Sequence, residues 1–381
     1  MEKIVVRNFI YPIFQDPSQA HLFSDQFAFR PTGSTEAALI TILQSITNLL
    51  LTEPYVRLIA LDFSKAFDTV RHSGLLAKMS ELPINDEIFN WFVNYFQGHS
   101  HVTKFRGKVS GYASINASVF QGSVVGPPCF VINASDLKPC VPGNIFDKYA
   151  GDIILISPAC NDNGLNSEMQ SIELWAGTNN LTLNRSKSRE IIIYAKTRGN
   201  AVSAIPTLVL EIERAKSMKI LGVIIQDNLS MNDHVNAVCQ SASQSLYDLK
   251  LLKAHGMSTL SVQSVCRATV QARLTYASPA WWGFATVTDR QKLQSVANRA
   301  TRWGYYDKLS PTVEQICTKR DTDLFSVVLS NKHHVLHSLL PPPNTHEHNL
   351  KSRAHNRCLP RKDSSLIVKK IVIRMLYKNA Y

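Results

Sequence analysis

The sequence predicts an α+β protein, with a mixed α/β part as far as about residue 230 and a helical, basic part beyond it. Three observations lead there. Short apolar runs alternate with amphipathic stretches up to Gln226. Helical spacing dominates from His234 onward. Lys and Arg outnumber Asp and Glu by 41 to 29, a formal net charge of +12 with a pI near 9.3.

The length, 381 residues, suggests two or three domains, and 45% apolar residues are enough for a sizeable core. In the stretch 35–52, Leu39, Ile42, Leu43, Ile46, Leu49 and Leu50 fall on one helical face. Ser34 is placed to cap that helix, and Gly33 to turn the chain into it. The run 56–63, VRLIALDF, reads as a buried strand ending in an acid. A helix over Asp86–Gln97 has Ile88, Trp91, Phe92, Tyr95 and Phe96 as its stripe. Lys104–Phe120 has strand character broken at Gly107 and Gly111, and a helix follows Pro128. Residues 144–156 read as two strands around a turn at Ala150-Gly151, and 165–180 as a helix. SREIIIYA and KILGVIIQ are further strands. Helices are expected over His234–Lys253, Ser258–Ala277 and Val287–Trp303, then a break at the prolines 341–343 and a basic tail, Lys351–Lys378. No internal repeat is visible.

An excess of positive charge speaks about partners, and nucleic acid is the first candidate. Seven scattered cysteines without a C-x-x-C pair argue against a disulfide framework and for a reducing compartment. No apolar run reaches the ~18 residues of a spanning helix, and the first residues lack signal-peptide features. An intracellular protein, cytoplasmic or nuclear, is the expectation.

The sharpest feature is a pair of acid-bearing turns, Leu61-Asp62-Phe63-Ser64-Lys65-Ala66-Phe67-Asp68 and Tyr149-Ala150-Gly151-Asp152. Carboxylates at strand ends can converge on hard cations such as Mg²⁺, which take oxygen ligands. Alone, each acid is more often a cap or a solvated turn. Their surroundings are more specific: QFAFRPTGSTEAAL (26–39), LDFSKAFDTV (61–70), QGSVVGP (121–127), YAGD (149–152), LTLNRSKS (181–188) and KILGVIIQDNLS (219–230), followed by YASPAWWGF, RQKLQSVANRATR and IRMLYKNAY. This ordered series resembles the reverse transcriptases of non-LTR, long-interspersed or jockey-type retrotransposons, across nearly the whole chain.

The resemblance implies a right-hand polymerase: partial fingers and palm over 1–230, a helical thumb-like region over 231–310, and a basic carboxy-terminal tail over 311–381. It implies an RNA-directed DNA polymerase working with Mg²⁺ or Mn²⁺ on an RNA template, a DNA primer and dNTPs. By position, Asp62 and Asp152 match metal-binding aspartates, and Phe67 matches a steric gate against the ribose 2′-OH. Gln121, Gly122 and Ser123 match a loop on template and nucleotide, and Lys187 a lysine near the phosphates. Leu221 and Gly222 match the primer grip, and Arg30 a fingers arginine on the template backbone. Plain readings stand beside these: core packing for Phe67, a surface ion pair for Arg30, a solvated lysine for Lys187.

The pattern breaks at Gly151, where the family has an aspartate that binds metal together with the one at Asp62. Asp147 is no obvious replacement, being ~13 Å away along an extended strand at ~3.3 Å per residue. Phe120 replaces a usual proline, and Asn133–Leu137 a usual Ile-Asn-Asp-Leu ending. The chain is also expected to lack the earliest fingers segment and an endonuclease. The alternative function is therefore an inactive nucleic-acid-binding relic or domesticated fragment. The histidines 333, 334, 337, 346, 348 and 355 with Cys358 lack zinc spacing. Trp281-Trp282 is expected to pack a core rather than stack bases, and the tail to be a nucleic-acid-facing or solvated surface.

Overall fold

The computed structural model describes residues 1–194, 206–209, 211–307, 309–344 and 355–378. His346, His348 and the final Asn-Ala-Tyr of the sequence motif lie outside the described residues. The chain divides into two compact units: Met1–Ser34, Arg57–Glu190 and Ala204–Arg214 form the first, and Thr35–Val56, Ile191–Ser203 and Ala215–Tyr381 the second.

The first unit is built on a sheet of five strands: β1 (Tyr55–Leu61), β2 (Ile145–Tyr149), β3 (Asp152–Pro158), β4 (Arg189–Tyr194) and β5 (Glu213–Arg214), in the order β5-β4-β1-β3-β2. The division falls within β1, after Val56, and within β4, after Glu190. β2 and β3 are an antiparallel hairpin, and β4 and β5 are parallel. β1 is apolar on both faces because it is buried on both. Its one charge, Arg57, is fully buried and is held by Glu190 and by both oxygens of Asp162 at 3.1 Å. An arginine so placed is tolerable only when paired. The helix Leu165–Thr178 lays Leu165, Met169, Ile172 and Ala176, a helical stripe, against Ile59, Leu61 and Leu155 of the sheet.

A second core gathers Val5, Ile10, Phe14 and Phe23 from the amino-terminal turns. They pack with Leu75 and Met79 of helix His72–Ser80, Phe92 and Phe96 of helix Asp86–Phe96, and Cys129 and Phe130 of helix Gly126–Asn133. Helix His72–Ser80 was not expected. Its short apolar set, with Gly74 in the first turn, gains definition from packing rather than propensity. The broken strand character expected over Lys104–Phe120 takes the form of two-residue strands in a projecting hairpin, with its turn at Arg106-Gly107.

The second unit is helical apart from the hairpin Ser217–Ile220/Val223–Gln226, together with the ends of β1 and β4 that fall in it. Its long helix Asn232–Ala254 packs on Val287–Arg302, whose start carries a reciprocal cap between Thr286 and Asp289. The expected helix Ser258–Ala277 is interrupted: Thr259–Cys266, a π segment Arg267–Gln271, and Ala272–Leu274. Trp281 is fully buried, donates from Nε1 to the Tyr276 carbonyl at 2.8 Å and meets His234 edge-on. Trp282 is buried under the Arg290 guanidinium. Both tryptophans are core, as expected for such a pair.

Two sequence-based expectations change here. The helix Thr35–Leu49, placed by sequence with the amino-terminal part, packs on Ser278–Trp281 of the second unit. The segments 231–310 and 311–381 both fall in the unit that takes in Ala215–Tyr381. The tail is not merely a solvated surface. In its helix Ile371–Leu376, five of the six residues are buried, because the aliphatic spacing finds a core. Lys370 is buried with it; its ammonium donates to Asn48 and its pKa is lowered to about 8 by burial.

Candidate active site

β2 and β3 meet at a turn in which Tyr149 pairs with Asp152, and Ala150 has a left-handed φ of +55°. The turn is held from the side. Gln26, 2% exposed, accepts the Ala150 N–H at 3.1 Å and the Ala28 N–H at 3.0 Å through one oxygen. Around it the chain runs parallel to β2: Phe27 N–H donates to the Lys148 carbonyl and Lys148 N–H to the Asp25 carbonyl, each at 2.8 Å. The Lys148 ammonium is buried below, donating to Ala134 and Leu137 carbonyls and pairing with Asp25. The sequence did not single out Gln26. Its signal was only its place in the Gln-Phe-Ala-Phe-Arg motif.

Asp62 follows β1 directly. Its N–H donates to Ser188 Oγ at 3.1 Å, and its carbonyl accepts the Asn184 N–H at 2.7 Å. Ser188 Oγ in turn donates to the Asn184 carbonyl at 2.9 Å. The loop 181–188 is thereby hooked onto Asp62, which gives its Asn and last Ser a structural purpose. Asp152 is exposed as a residue, yet its carboxyl pKa is raised, first by partial burial and then by the charge of Asp62.

Beside this pair, Gly151 leaves room. A Cβ there would lie 3.8 Å from Ala66 Cβ, 3.9 Å from Phe67 Cε2 and 4.0 Å from Phe130 Cζ, ordinary contact distances. The Phe67 ring stacks on Phe130 at 4.3 Å and meets Phe29 edge-on at 6.4 Å. It walls a cleft of about 320 Å³ with Phe29, Phe120, Gln121, Gly122 and Pro127. Gln121 is exposed and donates to Asp68 at 3.3 Å. At Gly122 an added Cβ would meet nothing within 4 Å, so backbone there is open to a ligand. Lys187 is exposed in the hooked loop.

A sequence model of the reverse transcriptase (RNA-dependent DNA polymerase) family matches residues 2–225. The chain belongs to the reverse transcriptase family. It is 25% identical over 295 residues to a probable RNA-directed DNA polymerase from transposon BS of Drosophila melanogaster, covering 73% of this chain and 32% of that protein. It is equally identical, over 293 residues, to the RNA-directed DNA polymerase from mobile element jockey of Drosophila funebris, at 73% and 31% coverage. This is the non-LTR branch of reverse transcriptases. The chain spans about a third of the length of these curated relatives. Among solved structures it is similar to telomerase from Candida tropicalis in complex with a TWJ fragment of telomeric RNA. That match has a TM-score of 0.46 and 12% identity over 88% of this chain and 56% of that one.

The family match over residues 2–225 takes in the first unit and part of the second. Arg30, expected to contact a template backbone, is hydrogen-bonded within the protein. Its guanidinium donates to the carbonyls of Phe14 at 2.7 Å, Gln26 at 3.1 Å and Phe23, and burial lowers its pKa to about 10. It braces the segment that holds the YAGD turn. Leu221 and Gly222 form the turn of the second unit's hairpin, with φ of +44° and +89°. The Tyr276 hydroxyl donates to the Leu221 carbonyl at 3.0 Å and lies 3.0 Å from Thr35 Oγ1.

Asp147, four residues before Gly151, does not offer an exposed, charged carboxylate. It is 3% exposed, and burial, then the charge of Asp25, raises its pKa to about 8. It is neutral below that pH, whereas a hard cation wants a charged oxygen. No cluster of three or more His, Cys, Asp or Glu suited to a metal occurs among the described residues. Asp62 and Asp152 remain as a pair whose mutual repulsion a divalent cation would relieve. Two protein carboxylates, Asp62 and Asp152, are on offer to such an ion, with Gly151 next to Asp152.

Proposed function

We propose that this chain is the polymerase portion of a non-LTR retrotransposon's RNA-directed DNA polymerase, and that Gly151 impairs its nucleotidyl transfer. The observation that carries this reading is Gly151, where a side chain has room, in the turn beside Asp152, whose carboxyl pKa is raised by partial burial and then by the charge of Asp62. Asp62 and Asp152 would hold Mg²⁺ or Mn²⁺; when bound, such ions stabilise the charge of a phosphoryl displacement. Phe67, fixed by Phe130, would close the cleft to a ribose 2′-OH and so favour deoxynucleotides by exclusion. Gln121 and Gly122 would face the nucleotide and template, and Lys187 the phosphates. Leu221 and Gly222 would grip the primer end. A second reading, a nucleic-acid-binding protein without catalysis, is favoured by Gly151 itself.

Primer extension on an RNA template tests both. Metal charge is worth several kcal/mol of transition-state stabilisation, and each ~1.4 kcal/mol is tenfold in rate. Gly151→Asp should therefore raise extension by roughly a hundredfold or more. Extension by the parent chain at that higher rate, abolished by Asp62→Ala, would refute impairment. Parent and Gly151→Asp both silent would favour the binding-only reading.

A further inference from the structure

We propose that the projecting hairpin 100–114 is a second RNA-binding surface, taking unpaired RNA by stacking bases on Phe105 and Tyr112 and holding phosphates with Lys104, Arg106 and Lys108. It rests on the reading of this chain as one that binds an RNA template.

The hairpin is short and well specified. Ser100 pairs with Ser114 and His101 with Ala113; further out, Lys104 pairs with Val109 and Phe105 with Lys108. Arg106 and Gly107, with φ of +46° and +81°, make the two-residue turn that suits the strands' twist. Every residue from Ser100 to Ser114 is exposed, so the hairpin contributes no side chain to either core of its unit. Yet it carries large apolar groups: Tyr112 is 85% exposed and Phe105 68%. By register, Phe105 and Lys108 share one face, and Lys104 and Val109 the other, so each face offers an apolar group beside a cation. The Arg106 guanidinium lies over the Phe105 ring, 5.3 Å from its centre.

The charge is uncompensated. From Ile88 to Ser135 there is no Asp or Glu. Among the described residues no ion pair involves Lys104, Arg106 or Lys108. Lysines on an exposed hairpin discourage edge-to-edge pairing. That accounts for the cations and leaves the exposed rings unexplained. Rings interleaved with cations are the chemistry of single-strand binding, since any unstacked base has a face to offer. A duplex keeps its bases stacked and displays phosphates and grooves instead. The placement agrees. The base of the hairpin is closed by Ile115 N–H donating to the His99 carbonyl, and the His99 ring lies 4.6 Å from Phe120. Phe120 leads directly into Gln121 and Gly122 on the wall of the cleft. The base of the hairpin therefore adjoins the loop that walls the cleft.

The test is fluorescence anisotropy of the full chain with a short labelled unpaired RNA, repeated with the same RNA as a duplex. Phe105→Ala/Tyr112→Ala should weaken unpaired-RNA binding by roughly tenfold per ring, with duplex binding unchanged. Lys104→Gln/Arg106→Gln/Lys108→Gln should lower the slope of log affinity against log salt by about 2, at ~0.7 per phosphate contact on a single strand. All five side chains are exposed, so both variants should keep the parent's melting midpoint, and each stands as a check on the other. Parent-like RNA binding by both variants overturns the proposal and leaves a protein contact as the use of the rings. Equal loss on duplex and single strand overturns the stacking. A parent chain that binds no RNA removes the polymerase reading along with it.

Discussion

The two residues that decide the chemistry differ by the presence of a side chain. At Gly151 a Cβ is accommodated without displacing a neighbour, so packing does not require a glycine there. Asp147 shows the opposite case, a carboxylate present and disarmed. Its pKa is about 8 when folded against an ordinary 3.8. The folded state therefore holds a proton that the unfolded chain has already lost between those values. The contribution is intact below pH 4 and declines as pH rises through about 8, each unit being worth about 1.4 kcal/mol. Asp147→Asn should remove that decline: its melting midpoint should exceed the parent's at pH 8 and converge with it at pH 4. A variant less stable than the parent at pH 8 would refute a neutral Asp147. The sequence placed this residue too far along the strand to serve. That it is also uncharged depends on burial and on Asp25, a neighbour more than a hundred residues earlier.

At the scale of elements, turns were the most legible features and their anchors the least. The Ala150-Gly151 and Leu221-Gly222 turns lie where the apolar runs and glycines put them. What holds them was not visible: Gln26 for the first, Tyr276 for the second. The second anchor makes a specific demand. Gly222 has φ of +89°, and a Cβ there would come within 3.0 Å of the Tyr276 ring. Gly222→Ala should cost about 1–2 kcal/mol from backbone strain and ring displacement, read by denaturant unfolding. Pairing it with Tyr276→Phe tests the contact further. The ring remains and only the hydroxyl is lost, so the strain term should persist. A Gly222 penalty that vanishes in the Tyr276→Phe background, a non-additive outcome, would contradict a steric origin.

For the whole molecule, the excess of cations was readable at once and remains a statement about partners. Affinity for RNA should fall linearly in log–log form as salt rises, because phosphate contacts release counterions. Anisotropy at several salt concentrations measures this, and a flat response would contradict every nucleic-acid reading. The division into units was less legible. The helix Thr35–Leu49 has an ordinary amphipathic stripe, and no periodicity says which partner covers it; the answer, Ser278–Trp281, comes from far along the chain. For the same reason the basic tail reads as solvated until its aliphatic residues are seen buried.

By itself the sequence determined the family, through motifs whose order and spacing are covalent facts, together with the glycine in the metal motif and the sign of the charge. Only the tertiary structure decided how polar groups are spent. Arg30 turns inward to three carbonyls, Asp147 keeps its proton, and Phe105 and Tyr112 stand in solvent beside unpaired cations. The physical reason is common to all three. Spacing along a chain reports which side chains share a face, but desolvation and hydrogen bonding depend on atoms brought close by distant segments.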